Sequence, residues 1–189
     1  FRTMFDYKLE PEVYSFHLLE ELIKAAEHEG VSNFPIHIKI DTGMHRLGFL
    51  PEEIPHLIDR LHRQSAVIPR SVFSHLVGSD AERFDSFTRR QIETFEQAST
   101  ALQEGFRHKI LRHICNTAGI ERYPGAQFDM VRLGIGLYGI DPFTNKVLHN
   151  ISTLKTTILQ IHDVPSDETV GYSRKGILQR DSRIAAIPI

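Results

Sequence analysis

Short apolar runs alternate along the chain with stretches in which apolar residues recur every three or four positions. Glu12–Ser15 leads into Phe16–Gly30, where Leu18, Leu19, Leu22, Ile23 and Ala26 share one helical face and Gly30 supplies a stop. Phe34–Asp41 predicts a strand, and Pro51–Gln64 predicts a helix with Pro51 suited to its first turn. Ser71–Leu76 is the next expected strand. A long helix over Ala81–Gly105 follows, carrying Phe84, Phe87, Ile92, Phe95, Ala98 and Leu102. Ile110–Cys115 and Met130–Leu137 read as two further strands. Such alternation argues for βα units around a parallel sheet. Beyond Asp141-Pro142 the pattern changes. Thr153–Val164 and Glu168–Tyr172 read as strands around the turn Pro165-Ser166-Asp167, and Ser182–Ile189 as another, with no helix between them. The expected organisation is an α/β part over 1–145 and the start of an all-β part over 146–189.

The polar positions sharpen this picture. In Phe34–Asp41 the isoleucines 36, 38 and 40 occupy one face and His37, Lys39 and Asp41 the other. Strands of a parallel sheet are normally apolar on both faces, so three ionisable groups on one face require water, one another or a ligand. A wet edge strand would satisfy them equally well. The glycine-punctuated turn Thr42–Phe49 follows and carries Arg46, where a barrel of βα units keeps its chemistry. His75 closes the next strand, His113, Cys115 and Asn116 the one after, and Arg132 sits within the last. A lone histidine is usually a satisfied core residue, but polar groups at successive strand ends meet only in a barrel-like sheet. Gly134–Gly139 spells G-x-G-x-x-G, yet Ile140-Asp141-Pro142 follows instead of a helix, which argues against a dinucleotide fold. Either a turn whose amides approach a phosphate or a plain tight loop fits that segment.

Composition excludes several classes. The 189 residues are 41% hydrophobic and 24% charged, with a formal net charge of −2, so no basic excess points to nucleic acid. No apolar run approaches the roughly 18 residues of a membrane span. The single cysteine, Cys115, excludes a disulfide framework and fits a reducing compartment, and no tract has the layout of a signal peptide. The expectation is a cytoplasmic protein that meets neither nucleic acid nor membrane. The chain opens without Met at Phe1-Arg2-Thr3 and stops within the apolar run Ile184–Ile189, so both ends are expected to be cuts through a longer protein.

Five segments, in order, resemble alanine racemases. Ile38–Gly48 is similar to their K-x-D-T-G-M-x-R-L-G, Ser74-His75-Leu76 to S/T-H-F/L, and His113–Ala118 to H-x-x-N-S/T-A. Asp129–Gly139 resembles D-M-V-R-x-G-I-x-L-Y-G, and Val170-Gly171-Tyr172-Ser173 the V-S/G-Y-G/S of their second domain. Val170–Gly176 also resembles the racemase half of a bacterial fusion in which a cell-wall ligase, joining D-Ala-D-Ala to a UDP-muramoyl tripeptide, comes first.

The resemblance implies a partial (β/α)8 TIM-like barrel followed by a β domain, pyridoxal 5'-phosphate as cofactor, and a head-to-tail homodimer interconverting L- and D-alanine for the cell wall. Racemisation needs two bases on opposite faces of the substrate. By resemblance Tyr172 is one of them, given across the dimer, with His75 and Arg132 supplying the positive and hydrogen-bonding surroundings that a tyrosine of ordinary pKa about 10 requires. Arg132 would face the cofactor's pyridine nitrogen and, being unable to give up its proton easily, keep that nitrogen unprotonated. Arg46 would bond the phenolic oxygen and, with Tyr172, lie near the substrate. Asn116, Thr117, Gly134 and Ile135 would hold the cofactor, chiefly its phosphate.

Lys39, read from the strand alone, is a Schiff-base candidate. The resemblance implies instead a carbamylated lysine that orients Arg46. None of Lys8, Lys24, Lys39, Lys109, Lys146, Lys155 or Lys175 has the V-K-A-N-A-Y-G-H-G-like surroundings of the family's cofactor lysine, so the chain as given is expected to be inactive. Two alternatives remain. Lys39, His75, His113 and Asp129 resemble the ligands of a metal-dependent barrel hydrolase, against which the cations Arg46 and Arg132 argue. A non-catalytic pyridoxal-phosphate carrier has a similar barrel, but would lack the β-rich segment that carries Tyr172.

Overall fold

Four parallel strands stand in chain order in one sheet: β1 (Glu12–Val13), β2 (Phe34–Lys39), β3 (Val67–Phe73) and β4 (Leu111–His113). The computed structural model describes residues 1–143, 147–149, 151 and 153–188. They belong to two compact units, Phe1–Ile151 and Ser152–Ile189. The expected boundary at 145/146 lies outside the described residues.

In the first unit α1 (Arg2–Asp6) precedes the sheet. The crossovers are α2 (Phe16–His28), α3 (Ile54–His62) and α4 (Asp85–Glu104), and α5 (Thr117–Arg122) follows β4. Ser15 caps α2, its Oγ accepting from the amide of Leu18 at 3.3 Å, and Leu19, Leu22, Ile23 and Ala26 are buried along the predicted stripe. Before α3 the chain makes a 3₁₀ turn, Pro51–Glu53, where the Glu53 carboxylate accepts from the Leu50 amide at 2.7 Å. The sheet turns Ile36, Ile38, Ile40, Val72 and Ile114 towards the helices, and they join Leu22, Leu57, Phe95 and Leu102 in one core. Each such fully buried side chain contributes roughly 1.5–3 kcal/mol.

β3 begins four residues earlier than the expected Ser71, running through Pro69, and ends at Phe73, so His75 lies beyond the strand instead of closing it. Proline has no amide to give a ladder and is tolerated in strands at irregularities. Here the register steps from Ile36 opposite Pro69 to His37 opposite Ser71, leaving Arg70 as a bulge. The bulge aims Ser71 and Phe73 at the sheet face that carries His37 and Lys39.

The strand expected over Met130–Leu137 does not form. The amides of Asp129 and Arg132 donate to the carbonyls of Arg112 and Cys115, both at 3.0 Å, so the segment only leans on the edge of β4. Ile135–Tyr138 then winds into a 3₁₀ turn that ends at Gly139 with φ +78°. Two glycines at 134 and 136 remove the side chains a ladder would pack, and the turn forms instead.

The second unit is a β structure. β5 (Gln160–Val164) pairs antiparallel with β8 (Ser182–Ala186), and β6 (Thr169–Val170) with β7 (Gly176–Ile177). These strands are shorter than expected, and Ile189 lies outside the described residues. Tyr172 is not in a strand: it opens the 3₁₀ turn Tyr172–Arg174 between β6 and β7 and is exposed.

Candidate active site

The turn after β2 is built by its own residues. The Asp41 carboxylate accepts from the amides of Gly43 (2.8 Å) and His45 (3.1 Å), closing the turn from within. Its ends are clamped: Asp41 N donates to Phe49 O and Phe49 N to Lys39 O, each at 2.9 Å. Gly48, at φ +138°, lies so close to the incoming strand that a Cβ there would sit 2.4 Å from the Asp41 nitrogen. This holds exposed Arg46 on a fixed turn at the strand end.

A buried amide joins that turn to the next strand end. Gln91 of α4 donates from Nε2 to Thr42 Oγ1 (3.2 Å) and to the carbonyl of His75 (3.1 Å), and its Oε1 accepts from the Val77 amide (3.1 Å). Thr42 and Ser74 share a hydroxyl hydrogen bond of 2.8 Å. His75 is thus held at the backbone on both sides. Burial, and then the positive charges of Arg132, Arg46 and Lys39, press its pKa below the ordinary histidine value, so its imidazole is neutral near pH 7.

Arg132 is fixed on every side by neutral acceptors. Nη1 donates to His113 Nδ1 at 2.6 Å and to the His113 carbonyl at 3.3 Å, and Nη2 to the carbonyls of Ser74 (2.5 Å) and Ile114 (3.3 Å). Phe73 is the platform beneath the site. His113 stacks on its ring at 5.0 Å, and the Arg132 guanidinium and Lys39 ammonium lie 5.0 and 5.6 Å from the ring centre. Lys39 is 6% exposed and paired with Glu12 Oε1 at 3.1 Å, so carbamylation would first have to break this ion pair.

A cleft of about 490 Å³ lies beside these groups, lined among others by His75, Asn116, Thr117, Gly134 and Ile135. The Thr117 hydroxyl oxygen accepts from the amides of Gly134 (3.0 Å) and Gly136 (3.3 Å), so two backbone donors converge on one oxygen. A Cβ on Gly136 would meet Thr117 Cγ2 at 2.8 Å, which keeps this approach open only to glycine. Converging amides, a hydroxyl and nearby cations are the donor set that a phosphate monoester requires. Asn116 is engaged otherwise. It caps α5 through the Gly119 amide (3.0 Å), accepts from Ser79 Oγ (2.8 Å) and donates to the Leu76 carbonyl (3.2 Å).

The first unit therefore gathers Lys39, Arg46, His75, Thr117, Arg132, Gly134 and Ile135 at the ends of adjacent strands and the loops beyond them. Tyr172 lies in the second unit, on a turn where Gly171, Ser173 and Arg174 all take positive φ. Ser71, Phe73 and Gln91 were not anticipated. The alternation of residues 71, 73 and 75 along the strand carried a signal for the first two; Gln91 carried none, reading as one polar residue on a helix. The residues proposed for a metal hydrolase have other partners: Asp129 binds Lys109 (2.5 Å) and the Arg112 amide (2.9 Å), and His113 faces Arg132. Among the described residues no group of three or more His, Cys, Asp and Glu is arranged to hold a metal ion. Nor, among those residues, is any helix long and apolar enough to cross a membrane.

A parallel α/β sheet with cations and converging amides gathered at its strand ends defines part of a (β/α)8 barrel whose site suits a phosphate-bearing ligand. The alanine racemase N-terminal domain family matches residues 1–142, and the alanine racemase C-terminal domain family matches residues 151–189. The chain belongs to the alanine racemase family. It is 36% identical over 194 residues to alanine racemase 1 of Clostridium acetobutylicum, covering 99% of this chain and 50% of that one. It is 39% identical over 167 residues to the alanine racemase of Prochlorococcus marinus, covering 82% of this chain and 42% of that one. Alanine racemase of Clostridium difficile superposes with a TM-score of 0.74 at 27% identity, over 99% of this chain and 50% of that one. The Bartonella henselae alanine racemase with covalently bound pyridoxal phosphate superposes at 0.65 and 25% identity, over 100% and 51%. The chain spans about half the length of the curated relatives it matches.

Proposed function

We propose that the protein carrying this chain is a pyridoxal-phosphate-dependent alanine racemase that interconverts L- and D-alanine by proton exchange at Cα, for cell-wall synthesis. The observation that carries this reading is Arg132, a half-buried cation pinned by four neutral acceptors beside a neutral histidine. Pyridoxal phosphate, when bound, draws electron density from Cα and so acidifies the substrate's α-proton. Thr117 and the amides of Gly134 and Ile135 would hold its phosphate. Arg132 is assigned to its ring nitrogen: a guanidinium offers a hydrogen bond but does not hand over its proton, whereas a carboxylate there would keep that nitrogen protonated. Arg46 is assigned to the phenolic oxygen and the substrate carboxylate, and its clamped turn orients it before substrate arrives.

Tyr172 is assigned as one of the two proton-moving groups, acting in the site of a second subunit. Its exposed place on the β6–β7 turn supports a role outside its own unit. His75, neutral and fixed by the backbone contacts of Gln91, offers that phenol a hydrogen-bonding partner. Lys39 is not assigned as the cofactor's covalent anchor, since its ammonium is committed to Glu12, and its carbamylation is proposed only on the family pattern. The working form is then a homodimer, placed in the cytoplasm where Cys115 stays reduced. Measuring exchange of L-alanine to D-alanine by the full-length protein supplied with pyridoxal phosphate tests this reading. Exchange that is abolished by Tyr172→Phe is the expected result. Exchange unchanged in that variant would overturn the assignment of Tyr172, and no exchange in the unaltered protein would overturn the function.

A further inference from the structure

Five polar side chains from five successive segments form one continuous file across the inner face of the sheet. Arg132 Nη1 lies 2.6 Å from His113 Nδ1, and His113 Nε2 lies 3.1 Å from Ser71 Oγ. Ser71 Oγ lies 2.6 Å from His37 Nδ1, and His37 Nε2 lies 3.0 Å from Glu10 Oε2. Glu10 in turn takes Arg70 Nη1 on its other oxygen at 3.1 Å.

Donor chemistry leaves this file one direction. A guanidinium has only donors, so His113 Nδ1 must present its lone pair to Arg132. A neutral His113 then carries its proton on Nε2 and donates to Ser71 Oγ. The single Ser71 proton is free to donate to His37 Nδ1, and His37 donates from Nε2 to the Glu10 carboxylate. His113, Ser71 and His37 each give one hydrogen bond along the file and accept one, between a cation that only donates and a carboxylate that only accepts. In the opposite tautomer His113 would turn an N–H against the guanidinium, and Ser71 would have to reverse as well. Burial and the neighbouring Arg132 hold the His113 imidazole neutral, with its pKa lowered to about 4.

We propose that Ser71, placed opposite His37 by the Arg70 bulge, is a positioning residue that accepts the Nε2–H of His113 and so, with Arg132 on Nδ1, holds this imidazole and the Arg132 guanidinium in place. Its hydroxyl is the one member able to pass hydrogen-bond direction between the two imidazoles, and it is fully buried, so water does not substitute for it. The proposal deepens the racemase reading and depends on it only for the activity arm of the test.

The test uses full-length protein labelled with ¹⁵N-histidine, at pH 7, with and without pyridoxal phosphate. Long-range ¹H–¹⁵N correlation reports the tautomer, and the His113 signals are those missing from His113→Gln. A neutral Nε2–H pattern for His113 is expected, and an Nδ1–H pattern or an imidazolium would overturn the proposal even if no variant folds. In Ser71→Ala, which leaves that N–H buried without its acceptor, Arg132 keeps Nδ1 unprotonated while the His113 Nε2–H signal is expected to move and to exchange faster with water, with kcat for alanine exchange down roughly tenfold, the worth of one hydrogen bond, and KM unchanged. Ser71→Thr, which keeps the hydroxyl, is expected to restore both. A Ser71→Ala protein whose His113 signals and kcat are both unchanged would overturn the proposal. Unaltered protein with the expected pattern, its His113 signals moved by Ser71→Ala, but without alanine exchange would support the proposal and overturn the racemase reading.

Discussion

Replacing Gln91 by leucine removes one side chain that holds two strand ends. The shape is nearly kept, while three hydrogen bonds are lost, to Thr42 Oγ1, the His75 carbonyl and the Val77 amide. At about 1 kcal/mol net for each bond, and with Val77 partly open to water, the expected loss of stability is about 2–3 kcal/mol. Thr42 keeps its bond to Ser74, so the damage concentrates on the backbone around His75. Ser99→Ala is the control: Ser99 is buried on the same helix, but its hydroxyl donates to Glu96 O of its own helix at 3.2 Å. That change is expected to be worth under about 1 kcal/mol. Urea unfolding followed by far-ultraviolet circular dichroism, at one protein concentration so that any association is held fixed, gives both values. The Gln91→Leu holoenzyme should also lose at least roughly tenfold in kcat/KM, since a small displacement of positioned groups is costly to a reaction. If Gln91→Leu and Ser99→Ala proved equally mild in stability and in kcat/KM, the idea that α4 sets the strand ends would be refuted.

His113 should make stability depend on pH. Its folded pKa of about 4 lies below the ordinary 6.5, so between these values the unfolded chain takes up a proton that the folded chain does not. The stabilisation is complete above pH 6.5 and is lost as pH falls towards 4, by about 3 kcal/mol. Urea midpoints at pH 7 and 4.5 should therefore fall further in the unaltered protein than in His113→Gln, and equal falls would refute the assignment. Gly48→Ala places a methyl against the Asp41 backbone at a positive φ, and should destabilise by about 2 kcal/mol or more. Because the clamped turn carries Arg46, the same variant should raise KM for alanine; an unchanged midpoint and KM would show that the turn yields without consequence.

Much of this organisation was legible before any coordinates. Ile36, Ile38 and Ile40 are fully buried against the helices while His37 and Lys39 face the other way, as the alternation in β2 required. Leu19, Leu22, Ile23 and Ala26 line the buried face of α2, and Arg46 lies in the turn beyond β2 as expected, whereas His75 lies past the end of β3 and Arg132 in a loop instead of a strand. Asn116 shows the limit of that reading. A motif reports that an asparagine stands before a helix, but whether its amide meets a ligand or caps the helix and ties Ser79 and Leu76 depends on what packs above it. The Met130–Leu137 segment shows another. Its apolar residues suggest a strand, yet its Arg132 amide bonds Cys115 just past β4 while only the preceding Asp129 bonds β4 itself, and the glycines let it coil.

By itself the sequence determined the alternation of strands and helices, the change to β structure in the second unit, and the residues on which a family assignment rests. These depend on periodicity and on short contiguous motifs, which one-dimensional order contains. Tertiary structure alone decided that Gln91 spans two turns, that Phe73 carries a histidine and two cations, and that a bulge at Arg70 aims Ser71 between two imidazoles. Each of these is a meeting of residues from different strands or helices, and bulges, register and donor direction arise only when the backbones are laid side by side.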